Sequence, residues 1–148
     1  MRALLLLAAL ALVALPAEAQ PRRSAAPQQA LSIADAPASV TVRAGGSDRN
    51  AVPGSGCSGF INNGEPTAAI EVSGDGPLAI YAVSGSDTTM LVSDPSGRWH
   101  CSDDANGSNP AVTFTQAAAG TYVVWVGTFS PDESASADLS AVRGQPAW

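Results

Sequence analysis

Turn-forming residues interrupt this chain so often that no helical period survives anywhere in it. Gly45-Gly46, Asn62-Asn63-Gly64, Ser73-Gly74-Asp75-Gly76-Pro77, Asp94-Pro95-Ser96-Gly97 and Asn106-Gly107 recur along it. Each has a local reason to reverse direction: Pro presets φ, Gly accepts φ > 0, and Asn or Asp side chains bond nearby backbone. Between them lie short runs with the period of a strand. Val40 and Val42 alternate with Thr41 and Arg43, Ile70 and Val72 flank Glu71, and Val112 and Phe114 share one face. The runs 57–61, 78–83, 88–92, 98–101 and 136–142 read the same way, the last with Leu139 as its clearest core residue. Residues 73–77 read as a hairpin-type connection, and residues 120–129 are apolar on both faces, which predicts a central strand. The pattern predicts an all-β domain, a single β-sandwich of about eight short strands with jelly-roll or Greek-key connections.

The N-terminal segment stands apart. Arg2 precedes an unbroken apolar run over residues 3–15, Pro16 breaks it, and Ala17-Glu18-Ala19 has the small-x-small form of a signal-peptidase site. The run is short for a permanent membrane span. The expectation is a signal peptide over 1–19 cut after Ala19, a flexible Pro/Ala/Gln-rich leader over 20–37, and the sandwich over 38–148. Cutting there leaves 148 − 19 = 129 residues, enough for one domain with a core. The product is expected to be secreted or periplasmic.

Charge narrows the partners. The chain has no Lys, and its seven cations are all Arg. Removing Arg2 and Glu18 leaves six Arg against twelve acids, so the mature charge stays at −6. A dispersed set of Arg on an acidic surface cannot neutralise a run of phosphates, which argues against nucleic acid and against anionic membranes after cleavage. Arg22-Arg23 reads as a solvated pair.

Cys57 and Cys101 are the only cysteines. In an exported chain they predict one structural disulfide, closing a loop worth roughly 4 kcal/mol in the chain-entropy model. With His100 as the one other soft ligand nearby, a zinc site lacks donors.

The densest polar stretch lies between Asp87 and Pro110. Asp87, Asp94, Asp103, Asp104, Asn106 and Asn109 are opposed there by Arg98 alone. Calcium needs about six to eight oxygens of this kind. The spacing does not fit an EF-hand loop, but Asp87, Asp103, Asp104, Asn106 and Asn109 are the candidate calcium ligands. The alternative is that these side chains cap turns by accepting local N–H bonds.

Three segments carry a family resemblance: GCSGFI (56–61), SDTTMLVSDPSGRWHCSDDANGSNP (86–110) and AGTYVVWVGTF (119–129). Together they resemble the bacterial pre-peptidase C-terminal domain, in particular small secreted members with C-x-G-[FY]-I, D-T-T-L, W-x-C-x-D-D and G-x-Y-x-x-W-V-G patterns. The resemblance implies a β-sandwich and a non-catalytic accessory module supporting adhesion, export or stability, with calcium bound in some relatives. Met90 stands where Leu is usual, a volume-conserving swap. His100 stands where an aromatic is expected, so no role carries over to it. The expectation is a stand-alone module without a catalytic domain.

The alternative function is a secreted hydrolase. A serine nucleophile needs a His base and an orienting carboxylate, and His100 is the chain's single His. Val52-Pro53-Gly54-Ser55-Gly56 lacks the first Gly of a nucleophile elbow. Asp103 and Asp104 are adjacent, so if extended they face opposite ways, and neither sits in an apolar pocket that the sequence reveals, which leaves a glycosidase reading little support. The reading is therefore not an enzyme, with an extracellular or envelope protein or polysaccharide as partner. Trp99, Trp125, Tyr81, Tyr122 and Phe129 also offer a weaker sugar-stacking reading, against which aromatics on strands usually pack inward and only Trp148 is expected to be exposed.

Overall fold

The computed structural model describes residues 20–50, 52 and 56–148, so the predicted signal peptide lies outside the described residues. The described residues form eleven strands and no helix: β1 Gln29–Ile33, β2 Ala38–Gly45, β3 Asp48–Arg49, β4 Phe60–Ile61, β5 Ala68–Val72, β6 Gly76–Ser84, β7 Thr88–Ser93, β8 Trp99–Ser102, β9 Ala111–Ala117, β10 Gly120–Thr128 and β11 Ser134–Val142. They build a seven-stranded and a four-stranded sheet packed as a sandwich, the fold class expected from the turn spacing. Nine of the eleven fall on the runs read from the sequence, and β1 and the two-residue β3 are additional.

β10 is the centre of the larger sheet. One of its edges pairs with β5 at residues 120–124 and with β4 at Thr128, and the other pairs with β7 over residues 123–128. Where β5 gives way to β4, the Thr67 hydroxyl accepts the Val126 N–H at 2.9 Å and keeps that buried donor satisfied. Gly127 sits at the same junction, where a Cβ would lie 2.5 Å from the Phe60 carbonyl; only glycine permits that approach. β7 continues into β8 by a hairpin, and β1 pairs in parallel with β5 at the far edge. The smaller sheet runs β2-β11-β6-β9, all antiparallel.

Alternation along β10 shows why its sequence is apolar on both faces. Tyr122, Val124 and Val126 point into the main core between the sheets, with Ile70, Met90, Val92, Leu78, Ile80 and Leu139. Val123 and Trp125 point the other way, into a second cluster with Val52, Ile61 and Leu91, against which Cys57, Trp99 and Cys101 pack. The larger sheet is thus covered twice, by the smaller sheet and by Val52 and Cys57 from the connection between β3 and β4. The Cys57–Cys101 disulfide, with Cα atoms 5.6 Å apart, ties that second cover down.

Two expectations are corrected. Residues 20–37 are not a flexible leader. Pro21 is buried, the Arg22 N–H donates to the Asn63 carbonyl at 2.8 Å, and Gln28 and Gln29 donate to the carbonyls of Pro66 and Thr67 where β1 begins. A composition without side-chain period still supplies backbone donors and acceptors, and the open edge of β5 takes them up. Arg22 and Arg23 are both exposed, as a solvated pair would be, and the Arg23 guanidinium also lies 5.3 Å from the Trp99 ring centroid and donates to the Gly97 carbonyl at 3.1 Å. The second correction concerns residues 73–77. β5 and β6 belong to different sheets, so this is a crossing between layers and not a hairpin.

Candidate functional site

The acidic stretch divides into two places in the fold, and its residues do different work in each. At one end of the sandwich, the β6–β7 and β8–β9 connections bring Asp87, Asp103 and Asp104 together, with one carboxylate oxygen of each within 4.8 Å of the other two. Asp87 and Asp104 are exposed and Asp103 is half-buried. Burial raises the Asp87 carboxyl above its ordinary value, and the charges of Asp103, Asp104 and Glu133 push it the same way. Asp103 Oδ2 accepts the Ser58 hydroxyl at 2.7 Å, whereas its Oδ1 is buried and has no hydrogen-bond partner among the described residues. Like charges drawn this close repel, and an orphaned carboxylate oxygen is costly to bury, so the cluster carries an uncompensated electrostatic load. A hard cation held there would relieve both, and carboxylate oxygens are donors that calcium takes.

Asn106 and Asn109, the other two candidate ligands, do not join the three carboxylates through their hydrogen bonds. They face each other across a tight loop: the Asn106 N–H donates to the Asn109 carbonyl at 3.0 Å, and the Asn109 N–H returns a bond at 3.1 Å. The Asn109 side-chain oxygen accepts the Ser84 N–H at 2.9 Å, which is loop capping across to β6.

Asp94 lies in the β7–β8 turn and is fully committed there. One of its oxygens accepts the Ser96 N–H at 2.9 Å, the Ser96 hydroxyl at 2.6 Å and the Arg98 N–H at 3.0 Å. The other meets Arg98 Nε at 3.1 Å and His100 Nε2 at 2.9 Å. Burial alone raises this carboxyl, but the bonds from Ser96, His100 and the Arg98 and Ser96 backbone outweigh it and hold the group well below the usual carboxylate range. Gly97 completes the turn at φ +85°, a left-handed conformation that glycine takes without a steric cost.

This turn brings a Ser, an Asp and a His together, and the order of contacts decides what they can do. Ser96 Oγ donates to Asp94, and His100 also meets Asp94. A hydrolytic triad needs the hydroxyl against the imidazole, with the carboxylate behind it. Here the carboxylate is the hub, so the serine proton has no base to leave to. His100 is further fixed by the edge of Phe114, with ring centroids 4.8 Å apart.

Most of the candidate sugar-stacking aromatics are core: Trp125 and Tyr122 are each 1% exposed and Tyr81 6%. Trp148 is exposed as expected, set edge-on against Tyr81, but Phe129 is more exposed still at 56%, which corrects its placement among the inward aromatics. Sequence reasoning missed Ser58 as a neighbour of Asp103. The signal was present, because a bridge between Cys57 and Cys101 brings residue 58 beside the 102–104 segment.

No family model matches the sequence, and no curated protein matches it. Among solved structures, the pre-peptidase C-terminal domain of a collagenase from Bacillus anthracis is similar with a TM-score of 0.50 at 17% identity, over 78% of this chain and 96% of that one. A periplasmic inhibitor of g-type lysozyme from Aeromonas hydrophila aligns with a TM-score of 0.44 at 13% identity, over 81% of this chain and 100% of that one. The chain therefore has the fold of a pre-peptidase C-terminal domain, as the three quoted segments imply.

Proposed function

We propose that this chain is an exported, non-catalytic accessory module whose acidic end takes calcium, and that it binds an extracellular or envelope protein or polysaccharide without turning it over. The observation that carries the reading is the convergence of Asp87, Asp103 and Asp104 from two separate connections, with one Asp103 oxygen buried and unpartnered. These three residues would hold the ion through at least one carboxylate oxygen each, and water would complete the about six to eight oxygens that calcium takes. Bound calcium would link the β6–β7 and β8–β9 connections and so order the end of the sandwich next to the exposed Phe129, whose N–H donates to the Asp87 carbonyl. The disulfide supports export, since such bonds persist in oxidising compartments. A hydrolytic role finds no support in a Ser96–Asp94–His100 arrangement with the carboxylate in the middle.

Thermal melts in calcium and in chelator test this. A ligand that binds only the native state stabilises it by about 2.7 kcal/mol at about 100-fold its Kd, an upward shift of roughly 10 °C for a domain of this size. Asp103→Asn keeps an acceptor for Ser58 and is expected to abolish the shift without unfolding the chelated protein. Superimposable melts with and without calcium overturn the reading.

A further inference from the structure

The N-terminal strap is held from Pro21 onward and released at the residue before it. Pro21 is buried, the Arg22 N–H is bonded to Asn63, the Ala25 N–H returns to the Arg22 carbonyl at 3.1 Å, and Arg23 is pinned between Trp99 and Gly97. Gln20, in contrast, is exposed, and no hydrogen bond links it to another described residue. The Ala17-Glu18-Ala19 motif puts the predicted cut immediately before it. Cleavage there leaves a glutamine with a free α-amine and a free side chain on a backbone fixed from the next residue.

We propose that Gln20 is a modification site and that the mature N-terminus closes to a pyroglutamyl lactam. The neutral α-amine nitrogen attacks Cδ of the Gln20 side-chain amide. A bond forms between that nitrogen and Cδ, the bond from Cδ to Nε2 breaks, and one amine proton leaves with Nε2 as ammonia. No oxidant, reductant or co-reactant enters the balance. An α-amine titrates near about 8, so a usable share is nucleophilic at neutral pH. The fold leaves the reacting residue accessible: Gln20 is exposed while Pro21 next to it is buried. The lactam also denies an aminopeptidase its amine at the exposed residue that precedes the buried Pro21.

The inference rests on cleavage after Ala19 and is independent of calcium. The test is intact mass and N-terminal sequencing of the freshly recovered exported protein, with Gln20→Ala alongside. The expected chain begins at residue 20, is lighter by one ammonia than the linear form, is blocked to Edman degradation and is opened by a pyroglutamyl aminopeptidase. Gln20→Ala is expected to be cut at the same bond and to read normally. A readable glutamine in the first cycle overturns the lactam while leaving the cleavage intact. A chain starting elsewhere overturns both. Neither outcome moves the calcium melts, so failure here is separable from failure of the proposed function.

Discussion

Removing the disulfide is the perturbation that most directly tests how the larger sheet is covered. The double substitution Cys57→Ala with Cys101→Ala opens a link between residues 44 positions apart. In the chain-entropy model, closing a loop of that length restrains the unfolded chain by about 4 kcal/mol. A single domain has on the order of 5–15 kcal/mol in total, so the variant should fold but with little in reserve. With a urea slope of roughly 2 kcal/mol/M, the midpoint should drop by about 2 M. The location gives a second signature. Trp99 and Trp125 pack 5.6 Å apart beside the bridge, under the segment that it ties down. If the bridge holds that cover, tryptophan emission should shift to the red at urea concentrations where far-ultraviolet dichroism is still native. A loss below about 1 kcal/mol with coincident transitions would refute the reasoning. It would mean that Val52, Ile61 and Leu91 hold the cover by packing alone.

Other outcomes follow from single side chains. Asp94→Asn is expected to cost about 2–4 kcal/mol in urea, because the charge that gathers Ser96, Arg98 and His100 is lost inside a buried turn. The pH profile should report the same group. Its folded carboxyl is held below the ordinary 3.8, so its contribution is complete above that value and is lost as pH falls below it, and the variant's melt should be flatter there. Asp87 works in the opposite sense. Its folded value is raised, so the folded state binds the proton more tightly and stability falls as pH rises through that range; Asp87→Asn should raise the melting temperature in chelator at neutral pH while weakening the response to calcium. Arg143 donates to the carbonyls of Ala34, Ser73 and Gly74, joining the β1–β2 and β5–β6 connections, and Arg143→Ala should cost about 1–3 kcal/mol by chemical denaturation.

The parts of the fold legible in the sequence are those in which side chains face unlike surroundings. β10 could be placed at the centre because residues buried on both sides of a sheet leave no polar alternation to read, and Val123 and Trp125 belong to one core while Tyr122, Val124 and Val126 belong to another. β1 was illegible for the converse reason. Of its five residues only Ile33 is buried, and its place comes from backbone pairing with Ala68–Val72, which any non-proline sequence supplies. The turn at 73–77 shows a third limit. Gly and Asp reverse a chain equally well within a sheet and between sheets; the choice is made by where Leu78 and Ile80 find partners, and that is a property of the assembled core.

The candidate site obeys the same logic, and the disulfide is what separates its legible part from its illegible part. Spacing alone groups Asp87, Asp94, Asp103, Asp104, Asn106 and Asn109 as equals, since all are oxygen donors in one polar stretch. Strand pairing breaks the tie. β7 and β8 lie antiparallel, with Met90 opposite Ser102 and Ser93 opposite Trp99. The residue just before β7 and the residues just after β8 therefore share one end of the sandwich, while Asp94 is carried to the other. Knowing only that 88–92 and 98–101 form a hairpin is enough to bring Asp87 beside Asp103 and Asp104 and to exclude Asp94. The bridge then adds Ser58, which no pattern in the polar stretch contains. Its hydroxyl occupies one oxygen of Asp103 and leaves the other buried and unpartnered, the feature on which the calcium reading turns. If the bridge positions Ser58, the double cysteine variant should also lose part of its calcium response, and a response fully retained would show that the three carboxylates are set by the β7–β8 hairpin alone.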